Sequence, residues 1–337
     1  MRSLWKRFRY RYEWFWVVLA TKIIPLLPRK VCFHLANALG GLWAKLDRSG
    51  RKVARSNLEA AFGDTFSAAE REQIAEQSYR YLARTIFDLV WSPRLTKDNF
   101  RRWFEIVNLH EAMAEIAPGQ SCIFPTPHYG NFEGTAQAMG LSAVSLLILT
   151  QEFKNPFLDP IVAALRHHSG HETAGREGGM IRMFKALKRG QHVGILSDLT
   201  LRPTQPSVAI DCFGMKTCVT FAHAWLHKKT GAPIVPLHCE HLPGGRCRLL
   251  VQRKLEISPE ATEREIAQAC WDRFEAVIRR NPEQWLWMYK QWRYKPSHAD
   301  RPYPFYANTS YYFDQLILQN DEPARVWRSS APSRARG

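Results

Sequence analysis

The spacing of hydrophobic and polar positions changes about a third of the way along this chain. Up to residue 90, apolar side chains recur three or four positions apart, which predicts helices over residues 29–48 and 67–90. Ser67, followed three positions later by Glu70, predicts an N-cap with a capping box for the second helix. Beyond residue 120, short apolar runs alternate with helical patterns. The first third is therefore predicted to be mostly helical, and the rest to alternate strands with helices.

The alternating part predicts a layered fold. Buried strands are predicted at 121–124, 143–150, 192–197, 233–239 and 246–255, and helices at 155–168, 179–188, 221–229 and 259–280. This order favours an α/β fold in which a mixed, mostly parallel sheet is flanked by helices on both faces. We expect one main domain over residues 29–296, an N-terminal segment over 1–28, and a tail over 297–337 whose last dozen residues are disordered.

The N-terminal segment combines a basic flank with an aromatic and apolar run. Its basic residues before the first acid, Glu13, are Arg2, Lys6, Arg7, Arg9 and Arg11. The apolar run over 14–27 is interrupted by Lys22 and Pro25, and a bilayer span needs about 20 apolar residues. No small-residue cleavage site of a signal peptide follows clearly. We predict a helix lying in the membrane interface, with a buried helix or a true span as alternatives.

The composition indicates several classes of binding partner but does not select one of them. The formal net charge is +16, which suits an anionic membrane surface, an acidic carrier protein or nucleic acid. The 12 Trp suit a membrane interface or a lipid-lined groove. The 7 Cys include no CxxC pair, which predicts buried free thiols and a reducing compartment rather than a disulfide framework.

Several reaction classes lack their sequence signals. The chain has neither a GxGxxG nor a Walker loop, and Ser197 lies in no nucleophile elbow. Two groups could ligate a metal, one made of His167, His168 and His171, the other of His238, Cys239, Glu240 and His241. Neither has a second pair at zinc-finger spacing, so a helix end and a strand end are the favoured explanations.

The strongest chemical signal is a histidine followed five positions later by a carboxylate, His128 and Glu133. On one continuous helix they would lie about 140° apart, so they can meet only if His128 lies on a loop and Glu133 in the next helical turn. That layout is supported by residues that keep the segment irregular or begin a helix: Pro125, Pro127, Gly130 and the N-cap candidate Asn131.

Such a pair can serve as a general base. A neutral imidazole accepts a proton near pH 7, and a carboxylate on one ring nitrogen fixes the tautomer and stabilises the imidazolium. The other nitrogen can then deprotonate a hydroxyl that attacks a thioester. A loop histidine beside an unrelated helix-starting Glu is the structural alternative.

The segment from His128 to Glu133, His-Tyr-Gly-Asn-Phe-Glu, resembles the signature of the bacterial lipid A biosynthesis lauroyl and myristoyl acyltransferases. These belong to the wider glycerolipid acyltransferase group with its His-x4-Asp/Glu motif. Further segments resemble the blocks of that family in the same order: 51–62, 175–179, 194–198, 212–214, 230–236 and 281–293. The match covers roughly residues 15 to 295.

The resemblance implies a role for each site residue. His128 would be the general base, and Glu133 would orient it and balance its charge. Arg176 would bind a phosphate or carbonyl oxygen. Asn131 would donate near the developing oxyanion or serve only as an N-cap, and Asp198 would position Arg176, shape the site or cap an element.

The resemblance also implies the reaction. A thioester donor, acyl carrier protein or coenzyme A, would supply the acyl group to a hydroxyl of a membrane lipid, first of all a lipid A precursor. The reaction would need no metal or redox cofactor and no nucleic acid, and would take place at the cytoplasmic face of the bacterial inner membrane. The stretch 199–206 and Cys212 depart from the family pattern. A lysophospholipid, aminolipid or glycolipid acceptor therefore stays open, as does a non-catalytic protein that binds membranes or nucleic acid.

Overall fold

A computed structural model describes residues 2–151, 153–175 and 177–319 of the chain. Over these residues it contains eleven α-helices and eleven β-strands. The helices are α1 Arg2–Ile23, α2 Arg29–Leu46, α3 Arg48–Phe62, α4 Ala68–Trp91, α5 Leu109–Ala114, α6 Phe132–Leu141, α7 Asp159–His167, α8 Gly179–Lys188, α9 Ala222–Thr230, α10 Glu263–Arg280 and α11 Tyr311–Leu318. The strands are β1 Phe104–Val107, β2 Ile123–Thr126, β3 Leu146–Leu149, β4 Glu172–Ala174, β5 His192–Leu196, β6 Val208–Cys212, β7 Met215–Val219, β8 Leu237–His241, β9 Cys247–Val251, β10 Tyr294–Lys295 and β11 Asn308–Thr309.

The strands confirm the α/β class with mixed sheets, but they do not form one continuous sheet. Four parallel strands have the order β2-β5-β3-β4, and a second sheet has the order β1-β9-β8, with β1 parallel and β8 antiparallel to β9. Isolated bridges from Ile123 to Ile234 and from Gly130 to Cys239 connect the two sheets. The carboxyl end of β2 therefore lies beside β8, where the chain leaves β2 for α6.

Most elements with a strong periodic signal lie where the sequence predicts them. The capping box is confirmed, since Ser67 accepts from the Glu70 amide and the Glu70 carboxylate accepts from the Ser67 amide. Helix α8 has the predicted bounds, and α9 ends at Gly231, which has a φ of 73°. The hairpin β6–β7 and the short strands β1 and β4 were not predicted. Their few residues carry too short a pattern to separate from a loop.

Two groups of tryptophans among the described residues lie in different environments. Four lie in the core and contact one another or Phe213: Trp271, Trp285, Trp287 and Trp292. Four others are exposed on α1 and α2: Trp5, Trp14, Trp16 and Trp43. The core group shares one hydrophobic cluster with residues of the hairpin β6–β7 and of α10, so these tryptophans stabilise the interior of the fold.

The two chain ends add helices to this core. None of the described helices combines the length and apolar character that crossing a bilayer requires. Helix α11 lies within the predicted tail and buries Phe313 against Ala209 and Cys218 of the hairpin. The predicted disorder of the last dozen residues falls outside the described residues. The seven cysteines are free and buried, as predicted.

Candidate active site

A short irregular segment between β2 and α6 holds the predicted histidine. Helix α6 begins after Asn131, whose side chain accepts from the amide of Gly134, and Glu133 lies in the first turn. Gly130 has a φ of 54°, and a Cβ at this position would lie 2.1 Å from the carbonyl oxygen of Cys239. Only glycine fits this close approach to β8. The predicted strand, loop and helix around His128 are thus confirmed.

The carboxylate bound to His128 belongs to Asp198 at the end of β5. Asp198 Oδ1 lies 2.7 Å from His128 Nδ1, and its Oδ2 accepts from the His128 backbone amide at 2.9 Å. An ionised carboxylate only accepts, so Nδ1 carries the proton and Nε2 of the neutral ring has a free lone pair. In the described part of the chain Nε2 has no hydrogen-bond partner, and the ring borders a cavity.

Asp198 is held ionised by what surrounds it. Complete burial works against its charge, but the attraction of His128 and the bonds from the His128 ring, the Trp285 indole and the His128 amide outweigh burial. The pKa of Asp198 therefore lies below its ordinary value. The indole Nε1 of Trp285 donates at 2.9 Å, and Gln291 donates to the Asp198 carbonyl at 2.6 Å. Asp198 is thus held in place by residues of the segment 281–293, which resembles the C-terminal block of the family.

Glu133 has a different partner, which corrects the predicted contact between Glu133 and His128. Its two carboxylate oxygens accept from Arg166 of α7, at 3.0 Å from Nε and 2.5 Å from Nη2. Burial works against the charge of Arg166, but the bonds and charge of Glu133 raise the pKa of Arg166 above its ordinary value. Neither a hydrogen bond nor an ion pair joins Glu133 to His128 among the described residues. The catalytic role predicted for Glu133 stays a prediction.

Asn131 is fully buried and both ends of its amide are occupied. Its Oδ1 caps α6, while its Nδ2 donates to Asp88 at 2.7 Å and to Cys247 at 3.3 Å. Asp88 in turn pairs with the buried Arg29 at 2.8 Å. This arrangement favours the N-cap over the predicted oxyanion donor, because the amide hydrogens already have acceptors.

The potential metal ligands are otherwise engaged. In the described ranges, Asp88, His241 and Cys247 form one group within 4.8 Å of one another. The Asn131 amide donates to Asp88 and Cys247, and Arg29 pairs with the other oxygen of Asp88, so these ligand atoms already have donors within the protein. The first group noted in the sequence does not converge, since His167, His168 and His171 bind Thr173, Leu95 and the Ala136 carbonyl separately. In the second group, His238 lies 3.5 Å from Glu240.

A largely apolar cavity of about 370 Å³ adjoins His128. Its size is in the usual range of ligand pockets, about 300 to 1,000 Å³. His128, Glu133 and Arg166 lie in its wall, beside apolar side chains from β2, β3, β5, α8 and the segment after Asp198: Phe124, Leu146, Ile148, Leu149, Met180, Ile195, Leu196, Leu199 and Leu201. The stretch 199–206, which departs from the family pattern, therefore contributes to this cavity, whereas Cys212 is buried in the core.

The site thus contains two residues that sequence reasoning missed, Arg166 and Trp285. Arg166 lies in the last turn of the predicted helix 155–168. A basic residue at this position signals a helix C-terminus rather than a ligand-binding residue. Trp285 lies in a segment noted only for its resemblance. Arg176 lies outside the described residues, so its predicted role in binding phosphate or carbonyl oxygen stays a prediction.

Comparison with known proteins identifies the family to which the chain belongs. The family model described as "Bacterial lipid A biosynthesis acyltransferase" matches residues 2–294. The chain is 23% identical over 297 residues to the lipid A biosynthesis lauroyltransferase of Escherichia coli K12, covering 88% of this chain and 95% of that protein. It is 22% identical over 291 residues to the lipid A biosynthesis palmitoleoyltransferase of the same organism, covering 86% and 93%.

A relative with a different acceptor is also similar. The phosphatidylinositol mannoside acyltransferase of Mycobacterium tuberculosis H37Rv is 25% identical over 251 residues, which cover 72% of this chain and 77% of that protein. The family model covers most of the chain, and each of these relatives is named as an acyltransferase. The chain is therefore an acyltransferase and belongs to the bacterial lipid A biosynthesis acyltransferase family.

Proposed function

We propose that this enzyme moves a fatty acyl group from a thioester donor to a hydroxyl of a membrane lipid, with a lipid A precursor as the first candidate. The observation that carries the proposal is the His128–Asp198 pair, which borders a mostly apolar cavity with Nε2 free. A base alone would suit many reactions. A base beside an apolar cavity suits the transfer of a long hydrocarbon chain.

The chemical step follows from the tautomer that Asp198 selects. His128 Nε2 takes the proton of the acceptor hydroxyl as its oxygen attacks the thioester carbonyl carbon. The carbon–sulfur bond then breaks, and the departing sulfur takes the proton back from the imidazolium. Asp198 keeps its negative charge and stabilises the imidazolium between these events. The acyl group passes directly to the acceptor, and no covalent acyl-enzyme forms.

The donor is proposed to be acyl carrier protein, with acyl-coenzyme A as the alternative. The formal charge of +16 favours an acidic donor, and charge complementarity raises the rate of encounter. The hydrocarbon chain of either donor would lie along the apolar wall formed by β3, β5 and Leu199 and Leu201. Chain length would then depend on how far these side chains let it extend.

Glu133 and Arg166 are proposed to bind substrate oxygen. The pair forms the charged part of the cavity wall, and the bidentate contact holds the guanidinium in one orientation. The remaining N–H groups of Arg166 can bind a carbonyl or phosphate oxygen. Glu133 would then contribute to catalysis through Arg166 as a positioning residue. Arg176 is proposed to bind phosphate together with this pair.

The acceptor has one specific alternative. The similarity to a phosphatidylinositol mannoside acyltransferase, together with the unusual stretch 199–206 in the cavity wall, favours a glycolipid other than lipid A as the second candidate. The enzyme is proposed to meet either acceptor at the cytoplasmic membrane surface through the aromatic and basic residues of α1.

The test is transfer of label to lipid. Membranes containing the protein are incubated with acyl carrier protein carrying a labelled acyl chain and with total lipid from the source organism. We expect one lipid to gain label, and its mass identifies the acceptor. Replacing His128 with Ala should lower the rate by about 10² to 10⁴-fold, since a general base contributes that much.

The matched control is His110→Ala, because His110 is an exposed histidine on α5 that lies outside the cavity wall. Its transfer rate should equal that of the parent. Retained transfer in the His128→Ala variant contradicts the mechanism. Absence of label with both acyl carrier protein and coenzyme A donors contradicts the proposed reaction.

A further inference from the structure

The outer face of α2 carries a row of exposed apolar side chains. The row, here named the α2 stripe, recurs at helical spacing and consists of Val31, Leu35, Leu39, Leu42 and Leu46. The opposite face of α2 packs on α4 through small residues, among them Gly40, where a Cβ would lie 2.6 Å from the Arg80 Cα. Helix α2 thus buries one face in the fold and leaves a second apolar face on the surface.

Helix α1, which precedes α2 in the chain, also carries exposed apolar side chains. Exposed large side chains of α1 and the following turn include Trp5, Phe8, Phe15, Trp16, Ile23 and Leu26. Residues 1–46 contain nine Lys and Arg but a single acid, Glu13. Basic residues around an apolar face are what an anionic lipid surface attracts, since lipid headgroups bind the charge and the apolar side chains enter the boundary with the hydrocarbon.

We propose that the α2 stripe is a second membrane-contact element, and that α2 lies along an anionic bilayer beside α1. The inference extends the proposed membrane location from α1 to the helix that supports α4. It rests on that part of the proposed function and not on the acyl transfer itself. Contact through two helices fixes the orientation of the protein on the bilayer. Contact through one helix leaves the protein free to rotate about the axis of that helix.

A contact between α1 and the chain segment that follows β3 makes this orientation relevant to substrate entry. Thr150 and Gln151 border the cavity, and the same segment continues to the buried Asn155. The Asn155 amide donates to the Tyr10 carbonyl at 2.9 Å and to the Glu13 carboxylate at 3.0 Å. The sole acid of residues 1–46 therefore joins α1 to Asn155, which lies shortly after the cavity residues Thr150 and Gln151 in the chain. In this proposal a lipid acceptor passes from the bilayer toward His128 beside this contact.

The test measures binding of the full-length protein to vesicles of phosphatidylcholine containing phosphatidylglycerol, without acyl donor. We expect Leu35→Glu/Leu39→Glu to weaken binding roughly tenfold or more, since each leucine loses its apolar burial. Leu35→Gln/Leu39→Gln should also weaken it, which separates lost apolar contact from charge repulsion. Unaltered vesicle binding by both double variants would overturn the proposal.

A matched pair of single variants controls for a charge on an exposed helix. Leu46 on the α2 stripe is 73% exposed and Leu318 on α11 is 75% exposed. Leu46→Glu should weaken vesicle binding and Leu318→Glu should not. Equal effects of the two variants would contradict a specific membrane face.

A second copy of the chain is the competing occupant of the α2 stripe. Sedimentation without vesicles measures the oligomeric state directly. If the parent is a dimer, the double variants are monomers, and vesicle binding is unchanged, the membrane assignment is overturned. Because vesicle binding is measured without donor, a protein that docks as expected but transfers no acyl group supports this inference and contradicts the proposed function.

Discussion

Two carboxylates are found near the segment from His128 to Glu133, and their environments differ. Asp198 contacts the first residue of the segment, and Glu133 is its last residue. Asp198 is completely buried and accepts from the imidazole, a backbone amide and the Trp285 indole. Glu133 lies in the cavity wall and accepts from one guanidinium, that of Arg166. The buried carboxylate holds the imidazole of His128, and the one in the cavity wall holds the guanidinium of Arg166.

The difference teaches that closeness in sequence does not select the hydrogen-bond partner of His128. His128 and Glu133 are five positions apart, but the turn at Gly130 and the start of α6 direct their side chains to different neighbours. His128 and Asp198 are 70 positions apart and meet because β2 and β5 are adjacent parallel strands that end at the same edge. Parallel pairing brings the ends of the two strands together.

The largest effect is expected from Asp198→Asn. An amide can present its N–H to the imidazole and so favour the wrong tautomer, and it does not stabilise the imidazolium. The acyl transfer rate should fall by about 10² to 10⁴-fold while the fold remains intact. Steady-state kinetics with labelled donor measure the rate, and circular dichroism checks the fold. A rate within a few-fold of the parent would show that Asp198 is not the partner of His128.

The turn that separates the two carboxylates can be altered at Gly130. In Gly130→Ala the new Cβ would meet the Cys239 carbonyl oxygen at 2.1 Å, and alanine would have to adopt a φ of 54°. The free energy of unfolding should fall by about 2 to 4 kcal/mol, because both the clash and the left-handed backbone are unfavourable. Denaturant titration measures it. Gly63→Ala is the control, because Gly63 has a φ of 52° but open space around the position of a Cβ. Its free energy of unfolding should fall by less.

A smaller effect is expected from Glu133→Gln. Glutamine retains the size of the side chain but leaves the Arg166 charge without its counter-ion. We expect about a tenfold rise in KM with a small change in kcat, since the pair is proposed to orient substrate oxygen. Measuring kcat and KM separately tests this. A fall in kcat as large as that of Asp198→Asn would assign Glu133 to the chemical step.

The smallest effect concerns the pH dependence of stability. Because the folded-state pKa of Asp198 is lowered, its stabilising contribution is present above the ordinary aspartate pKa and is lost as the pH falls through the folded value. The parent should therefore lose stability through this group as the pH falls below about 4, the ordinary aspartate pKa. Denaturant titration of the parent and of Asp198→Asn at several pH values measures the difference. A difference that stays constant down to pH 3 contradicts the sign.

The sequence predicted the local frame of the site but not its connections. Pro127, Gly130 and Asn131 indicate a loop and a helix start, since proline, glycine and N-cap residues act on their own backbone. The contacts of Asp198 and Arg166 depend on strand order and helix packing, which one sequence does not specify. Asp198 was recognised at a strand end, yet its partner was left open because several neighbouring strands could have brought other residues to it.

Helices α1 and α2 also show that the sequence predicts an element better than it predicts the contacts of that element. The basic and aromatic pattern of residues 1–28 predicts a surface helix, but the periodic apolar residues of α2 predict only that some face is buried. Which face packs on α4 is decided by Gly40 and the other small residues, which allow close helix contact. Leucines that read as core in the sequence therefore lie on the surface in the fold.

A double-mutant cycle tests most directly whether Asp198 is the partner of His128. Single-turnover transfer rates would be measured at acceptor concentrations below KM for the parent, His128→Ala, Asp198→Asn, Glu133→Gln, and the two double variants that combine His128→Ala with each carboxylate change. Residues that act as one unit are not additive. We predict that Asp198→Asn slows the His128→Ala enzyme little further, whereas Glu133→Gln lowers its rate by the same factor as in the parent. The reverse pattern, with Glu133→Gln silent and Asp198→Asn fully effective on the His128→Ala enzyme, would contradict the account.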